Sequence, residues 1–164
     1  MISNHKKTVL QNDYKAGKQA ETELLNVLND HNIVSTTTKK FCWHDFRING
    51  VIGGHKFLVE HKRRFNNKNK YDTTIVPHSK IVEWRKVKQN YDGFLLIFTF
   101  NDGRYYIDYK TLMELKKTES RIKVDWFQRY SGYKHSMRKH LFMPVSILKP
   151  FNEHTLKQLC SNVK

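Results

Sequence analysis

Glu60 and Lys62 stand two residues apart in FLVEHKRRF (57–65), a stretch whose apolar and β-branched content predicts a strand. Alternate side chains of a strand share a face, so Glu60 and Lys62 line up with Leu58, while Phe57, Val59 and His61 point the other way. On an exposed edge such a pair is an ordinary surface ion pair. Asp45 offers a different reading: it lies in FCWHDFRI, before the Asn49-Gly50 turn, where a meander would bring its carboxylate beside Glu60 across adjacent strands. Two carboxylates form a hard-oxygen site for Mg²⁺, with Mn²⁺ as the alternative. A neighbouring lysine can orient or deprotonate an attacking water and stabilise charge growing on phosphorus oxygens, while the metal lowers the water's pKa. Asp45, Glu60 and Lys62 are therefore a sufficient set for phosphodiester hydrolysis. A carboxylate held among aromatic residues, as Asp45 is, is costly unless paired or metal-bound.

The composition supplies a substrate. Thirty Lys and Arg against fifteen Asp and Glu give a formal charge of +15 and a pI near 9.8, yet 38% hydrophobic and 13% aromatic content are enough for a packed fold. Such an excess points to a polyanion, and DNA comes ahead of an anionic membrane. No apolar run is long enough to span a bilayer, and MISNHKKTVLQNDYK lacks the apolar centre of a signal peptide, so a soluble cytoplasmic protein is expected. Cys42 and Cys160 form no CxxC pair, and no two of the nine histidines have metal-site spacing, so no zinc site, disulfide framework or organic cofactor is indicated.

The 164 residues predict one domain with its core over about 14–115 and a basic C-terminal extension over about 116–164. Ala20, Leu24, Leu25, Val27 and Leu28 have helical spacing and predict a helix from about Lys15 to Asp30. An antiparallel meander follows over FCWHDFRINGVIGGHKFLVEHKRR, then a mobile loop in RRFNNKNKYD, and a second helix in HSKIVEWRKVKQNY. GFLLIFTF reads as a fully buried central strand, RYYIDY as its hairpin partner and KTLMELKKT as a short helix. One or two short strands, a basic aromatic loop and a helix from about Asn152 to Cys160 complete the chain, with Trp84, Phe94, Phe98 and Phe100 in the core. The fold class is α/β, a mixed sheet flanked by helices.

With these elements in place, the chain resembles the PD-(D/E)XK, restriction-endonuclease-like superfamily, whose core order is α-β-β-β-α-β. Asp45 in WHDFRI matches the hairpin acid and EHK, Glu60 to Lys62, matches E-x-K. Within the superfamily it looks most like Holliday junction resolvases of the archaeal and RecU types, over about residues 14–115. The resolvases' helical Gly-x-x-x-Glu is matched by GKQAE, in which Glu21 follows Gly17, although Glu23 lies close by and Glu21 also reads as a solvated helix residue. The resemblance implies a metal-dependent nuclease in which Glu21 supports the metal and the backbone carbonyl of His61 is a further ligand. Two departures stand out. His44 replaces the proline expected before the first acid, and His78-Ser79-Lys80 replaces the His-Gln of RecU-type chains.

Candidate nucleic-acid contacts are Lys18, Arg47, Arg63, Arg64, Lys68, Lys70, Ser79, Lys80, Arg129, Tyr133, Lys134, Arg138 and Lys139. The loop set reads either as a solvated charge run or as backbone contacts beside a nuclease site. Ser79 and Lys80 open a helix whose N-terminus attracts phosphate, and Lys80 reads either as a catalytic or phosphate-contacting residue or as an ordinary solvated lysine. RYSGYKHSMRKH interleaves basic and aromatic residues as a phosphate-gripping, base-stacking surface does, or is an ordinary basic loop. Symmetric cutting of a two-stranded junction needs two sites, hence an expected C2 homodimer. A sequence-reading homing, nicking or restriction endonuclease on the same fold and a non-catalytic nucleic-acid-binding module are the competing readings. The Lys- and Asn-rich make-up is compatible with a phage or mobile element.

Overall fold

The computed structural model describes residues 4–30, 33–38, 42–49, 55–130, 135–152 and 154–155, without the side chains of 4–10, 34, 49, 129–130 and 135–136. Helix α1 (Asn4–Asp30) leads into β1 (Val34–Thr37), β2 (Phe46–Asn49) and β3 (Lys56–Arg63); then come β4 (Thr73–Pro77), α2 (His78–Val87), β5 (Gly93–Phe100), β6 (Gly103–Asp108) and α3 (Tyr109–Leu115). A hairpin of β7 (Lys123–Tyr130) and β8 (His135–Pro144) and a two-residue strand β9 (Lys149–Pro150) follow.

The main sheet has the order β1-β2-β3-β5-β6-β9. Only β3 and β5 run parallel; the other neighbours are antiparallel, so the sheet is mixed, as expected. β3 is thus an interior strand, flanked by β2 and β5. Its alternation puts Phe57 and Val59 in a cluster with Leu24 and Leu28 of α1, Phe46, Ile48, Leu95 and Ile97. Leu58 belongs to the opposite cluster, with Trp84 and Ile81 of α2, Phe94, Leu96, Phe98 and Leu112 of α3. β5 is covered on both faces, which is why GFLLIFTF is continuously apolar. Asp108 caps α3 by accepting the Thr111 N–H at 2.8 Å.

Three departures from the sequence reading have physical causes. The first strand of the meander is Val34–Thr37, upstream of the expected stretch, in a run of serine and threonines without an apolar signature. Residues 63–72, expected as a mobile loop, are tied down: Asn101 N–H donates to the Asn66 carbonyl at 3.0 Å, and Lys68 N–H donates to Asp102 Oδ1 at 2.9 Å. The chain beyond them forms β4, which joins β8 and β7 in a second, antiparallel sheet of order β4-β8-β7. Val76, Leu141 and Met143 of that sheet join the cluster on the α2 face. The expected C-terminal helix lies outside the described residues except for Asn152, His154 and Thr155, where Asn152 Oδ1 accepts the Thr155 N–H at 3.0 Å.

Among the described residues, no helix is long and apolar enough to cross a membrane.

Gly93 lies opposite Phe57 in the parallel pairing, and a Cβ there would approach the Phe57 ring to 2.7 Å. Gly93→Ala is expected to destabilise the protein by about 1–3 kcal/mol through overpacking, read from denaturant unfolding. His61 is buried on the α1 face, its Nε2 2.9 Å from Thr99 Oγ1, and burial lowers its imidazole pKa to about 4. A histidine with a lowered folded pKa contributes stability above the unfolded value, about 6.5, and loses it as the pH falls toward the folded one. Thermal stability is expected to fall between about pH 6.5 and 4, with His61 contributing on the order of 2–3 kcal/mol of that loss. His61→Gln should flatten the Tm profile in this window; an unchanged slope would count against the assignment.

Candidate active site

Glu60 sits in the middle of β3 with a fully buried side chain. Phe46 of β2 pairs with Val59, and Asp45 N–H donates to the same Val59 carbonyl at 2.9 Å, so the ladder ends in a bulge that sets Asp45 beside Val59 and Glu60. The Asp45 carboxylate accepts the His61 N–H through Oδ2 at 2.8 Å. A residue's N–H and C=O face the same neighbour in antiparallel pairing, so the His61 carbonyl is directed to the Asp45 side as well. Thr38 fixes the bend that holds Asp45, its Oγ1 donating to the carbonyls of His44 at 2.6 Å and Asp45 at 3.0 Å.

Two ammonium groups meet the Glu60 carboxylate. Lys62 Nζ contacts Oε1 from the same strand face, and Lys80 Nζ reaches Oε2 at 2.8 Å from the first turn of α2. Lys80 also donates to the carbonyl of Trp43, two residues before Asp45. The two ammonium groups are the partners of the Glu60 oxygens, one on each, and among the described residues no backbone N–H is given to either. Burial pushes the Glu60 carboxyl pKa up; the Lys62 ammonium opposes this, Asp45 adds to it and Lys80 opposes it. A carboxylate with no exposure in an interior strand is not a surface ion pair.

The donor set fits a hard divalent cation. Asp45, Glu60 and the His61 carbonyl offer oxygen alone, and both Glu60 oxygens are buried with only ammonium groups against them. Among the described residues, no group of three His, Cys, Asp or Glu side chains converges as a metal cluster, so two carboxylates would have to be supplemented by backbone, water or phosphate oxygen.

Glu21 is on α1 with its carboxylate paired to Lys18, an interaction that raises the Lys18 pKa. The Asp45 charge also acts on Lys18, placing this turn of α1 on the Asp45 side of the site. Arg47 is exposed on β2, and its Nε lies 3.4 Å from His44 Nε2. Burial, followed by the charge of Arg47, holds the His44 imidazole at about 4, so it is neutral and can accept.

The 63–72 charge run divides into inward and outward members. Arg63 braces β3 against β5, donating to the Thr99 carbonyl at 2.9 Å and to Asn101 Oδ1 at 2.7 Å. Arg64, expected to face nucleic acid, turns inward: it donates to Thr74 Oγ1 at 3.1 Å and to the Ile75 carbonyl, with its guanidinium over the Phe98 ring. Lys68 lies over the Tyr105 ring at 4.5 Å, and Lys70, which is exposed, over Tyr71 at 5.6 Å. Ser79 is exposed beside Lys80.

Arg138 and Lys139 are exposed on β8; Arg129 lies on β7, and Tyr133 and Lys134 fall outside the described residues. The sequence reading passed over Trp126 and Met137, which are 56% and 55% exposed on this hairpin. Trp126 pairs with Lys139, whose Nζ stands 5.3 Å over its ring, and Met137 shares that face two pairs further on, opposite Gln128. An apolar residue amid lysines and arginines was the available signal. The sequence reading also separated Lys80 from the E-x-K, because a helix-start lysine does not reveal which carboxylate it will meet.

No protein-family model matches this chain, and no curated protein sequence matches it. Among solved structures the chain is similar to Hjc of Archaeoglobus fulgidus, a Holliday junction resolvase from an archaeal hyperthermophile, at 10% sequence identity and a TM-score of 0.53. The match covers 80% of this chain and 85% of that one, and it establishes the shared resolvase-like, restriction-endonuclease-like α/β fold.

Proposed function

We propose that this chain is a metal-dependent DNA endonuclease that hydrolyses phosphodiester bonds and selects branched DNA, as a Holliday junction resolvase does. The observation that carries the reading is a carboxylate without solvent exposure, Glu60, in an interior strand, beside Asp45 and contacted by two lysines. Such an arrangement is costly to build, and metal-assisted hydrolysis gives it a use that DNA binding alone does not require. The similarity in fold to the archaeal resolvase supports the same direction.

Asp45, Glu60 and the His61 carbonyl would hold Mg²⁺ or Mn²⁺, with Glu21 in support from α1. A cation bound there lowers the pKa of water and neutralises the scissile phosphate. The chain's own groups do the rest. Asp45 fixes the His61 peptide through its accepted N–H. Lys62, 27% exposed and on the Glu60 face, is placed to hold the attacking water or a phosphate oxygen. Symmetric cutting of a junction requires two such sites, supplied by a homodimer.

The second sheet supplies a DNA surface. β8 runs beside the start of α2, and the His78 imidazole is held low by burial and then by the charges of Arg85, Lys116 and Lys139. Trp126, Met137 and Lys139 share one exposed face of the hairpin, and Arg138 adds a charge on the other. This exposed aromatic and basic face favours one competing reading, a sequence-reading endonuclease on the same fold.

Labelled four-way junction, nicked duplex, linear duplex and single strands, with Mg²⁺ or EDTA, form the test panel. Cation-dependent cutting with the junction preferred is expected for the wild type, and at least a hundredfold slower cutting for Glu60→Gln at undiminished DNA binding. Cutting of one linear sequence in preference to the junction would favour the sequence reader; bound but uncut DNA throughout would sink the nuclease reading. Replacing Arg138 and Lys139 by Ala should weaken binding of all sequences alike. Its logarithmic salt dependence should become shallower by about one for each phosphate no longer neutralised, measured by salt titration.

A further inference from the structure

The second lysine on Glu60 has a consequence for metal binding, and it rests on the nuclease reading. Asp45 and Glu60 bring two negative charges to the site, and Lys62 and Lys80 bring two positive ones. The described charges at the centre of the site therefore cancel without any cation. A divalent ion entering this set would leave it with two uncompensated positive charges, in surroundings where burial makes charge repulsion strong. A phosphodiester carries one negative charge and would relieve part of that excess.

The two lysines are not equivalent. Lys62 is on the strand that carries Glu60, two residues away, and meets Oε1. Lys80 comes from a separate element, α2, and spans Glu60 Oε2 and the Trp43 carbonyl. It thereby ties the segment that leads into Asp45 to the strand that carries Glu60, using both halves of the carboxylate pair's scaffold. Its ammonium lies at 2.8 Å from an oxygen that a divalent ion would take. A compact ammonium on a four-carbon stem can leave that oxygen for a phosphate without any backbone movement.

We infer that Lys80 is a positioning residue that acts as a built-in counter-ion, occupying Glu60 Oε2 in the DNA-free protein and so suppressing divalent-cation binding until a DNA phosphate draws the ammonium away. Cation binding and DNA binding are then thermodynamically coupled, each strengthening the other by the same factor. A lysine that stayed on Glu60 in the DNA complex would give no such exchange, and neutralising it would strengthen cation binding equally with and without DNA.

The test is Mn²⁺ binding to the full-length protein without DNA, by calorimetry and by the paramagnetic resonance signal of free Mn²⁺. Lys80→Gln and Lys80→Met remove the charge; Lys80→Arg keeps it; circular dichroism and Tm identify the folded variants. The neutral variants are expected to bind Mn²⁺ at least tenfold more tightly than the wild type, with Lys80→Arg close to the wild type. Two neutral substitutions of different polarity keep the test available if one of them does not fold. Unchanged or weaker Mn²⁺ binding in a folded neutral variant overturns the inference. If the wild type nonetheless cuts DNA with Mg²⁺, the nuclease reading survives that result. Absence of Mn²⁺ binding in every variant, together with no cleavage by the wild type, removes both.

Discussion

A charged carboxylate inside a sheet is the constraint around which this molecule is arranged. Glu60 occupies an interior strand with neighbours on both sides, and its side chain has no contact with solvent. Taking such a group out of water costs several kcal/mol, so its position requires compensation from nearby charge. Lys62 supplies part of it from two residues along on the same face, and Lys80 supplies the rest from α2. The crossover between the parallel strands β3 and β5 is what brings α2 over that face. Arrangement of the fold and neutralisation of Glu60 are the same problem.

Asp45 is held by different means. It stands at the entrance to β2, half-buried, and its oxygen accepts a backbone N–H from the strand that carries Glu60. Thr38 secures the bend through two carbonyls. The acidic pair is therefore built from one rigid carboxylate in a strand and one at a braced loop end. On the opposite face of the sheet, the side chain of His61 is bonded to Thr99 and packed away from the acids. One strand thus presents its chemistry on one side and its packing on the other, as its alternation requires.

That alternation is also why the centre of the molecule was legible. Phe57, Leu58 and Val59 are continuously apolar for the same reason as GFLLIFTF, burial on both faces, and strand alternation alone then sets Glu60 and Lys62 on one of those faces. Ala20, Leu24 and Leu28 mark one face of α1, although the helix begins well before Lys15. Legibility ended where structure depends on distant partners. VSTT is a strand because β2 lies beside it, and TTIVP is a strand because β8 does, so neither needed an apolar pattern of its own. Arg63 and Arg64 look like solvated charge in a linear reading, yet the carbonyls of Thr99 and Ile75, on other strands, turn them inward. Lys80 reads as a phosphate-facing helix start until the crossover sets it over Glu60.

The parallel pairing of β3 with β5 also sets the order in which the molecule acquires its chemistry. Its partners, such as Arg63 and Thr99, are 36 residues apart in the chain, so this pairing is a non-local contact that carries the entropy cost of closing a long loop. Helix α1 and the local β2–β3 hairpin can form beforehand, with the acids still hydrated. Glu60 becomes desolvated only as β5 docks and α2 swings over it. A partly folded chain therefore carries both acids hydrated, without the buried, lysine-paired Glu60 of the folded protein.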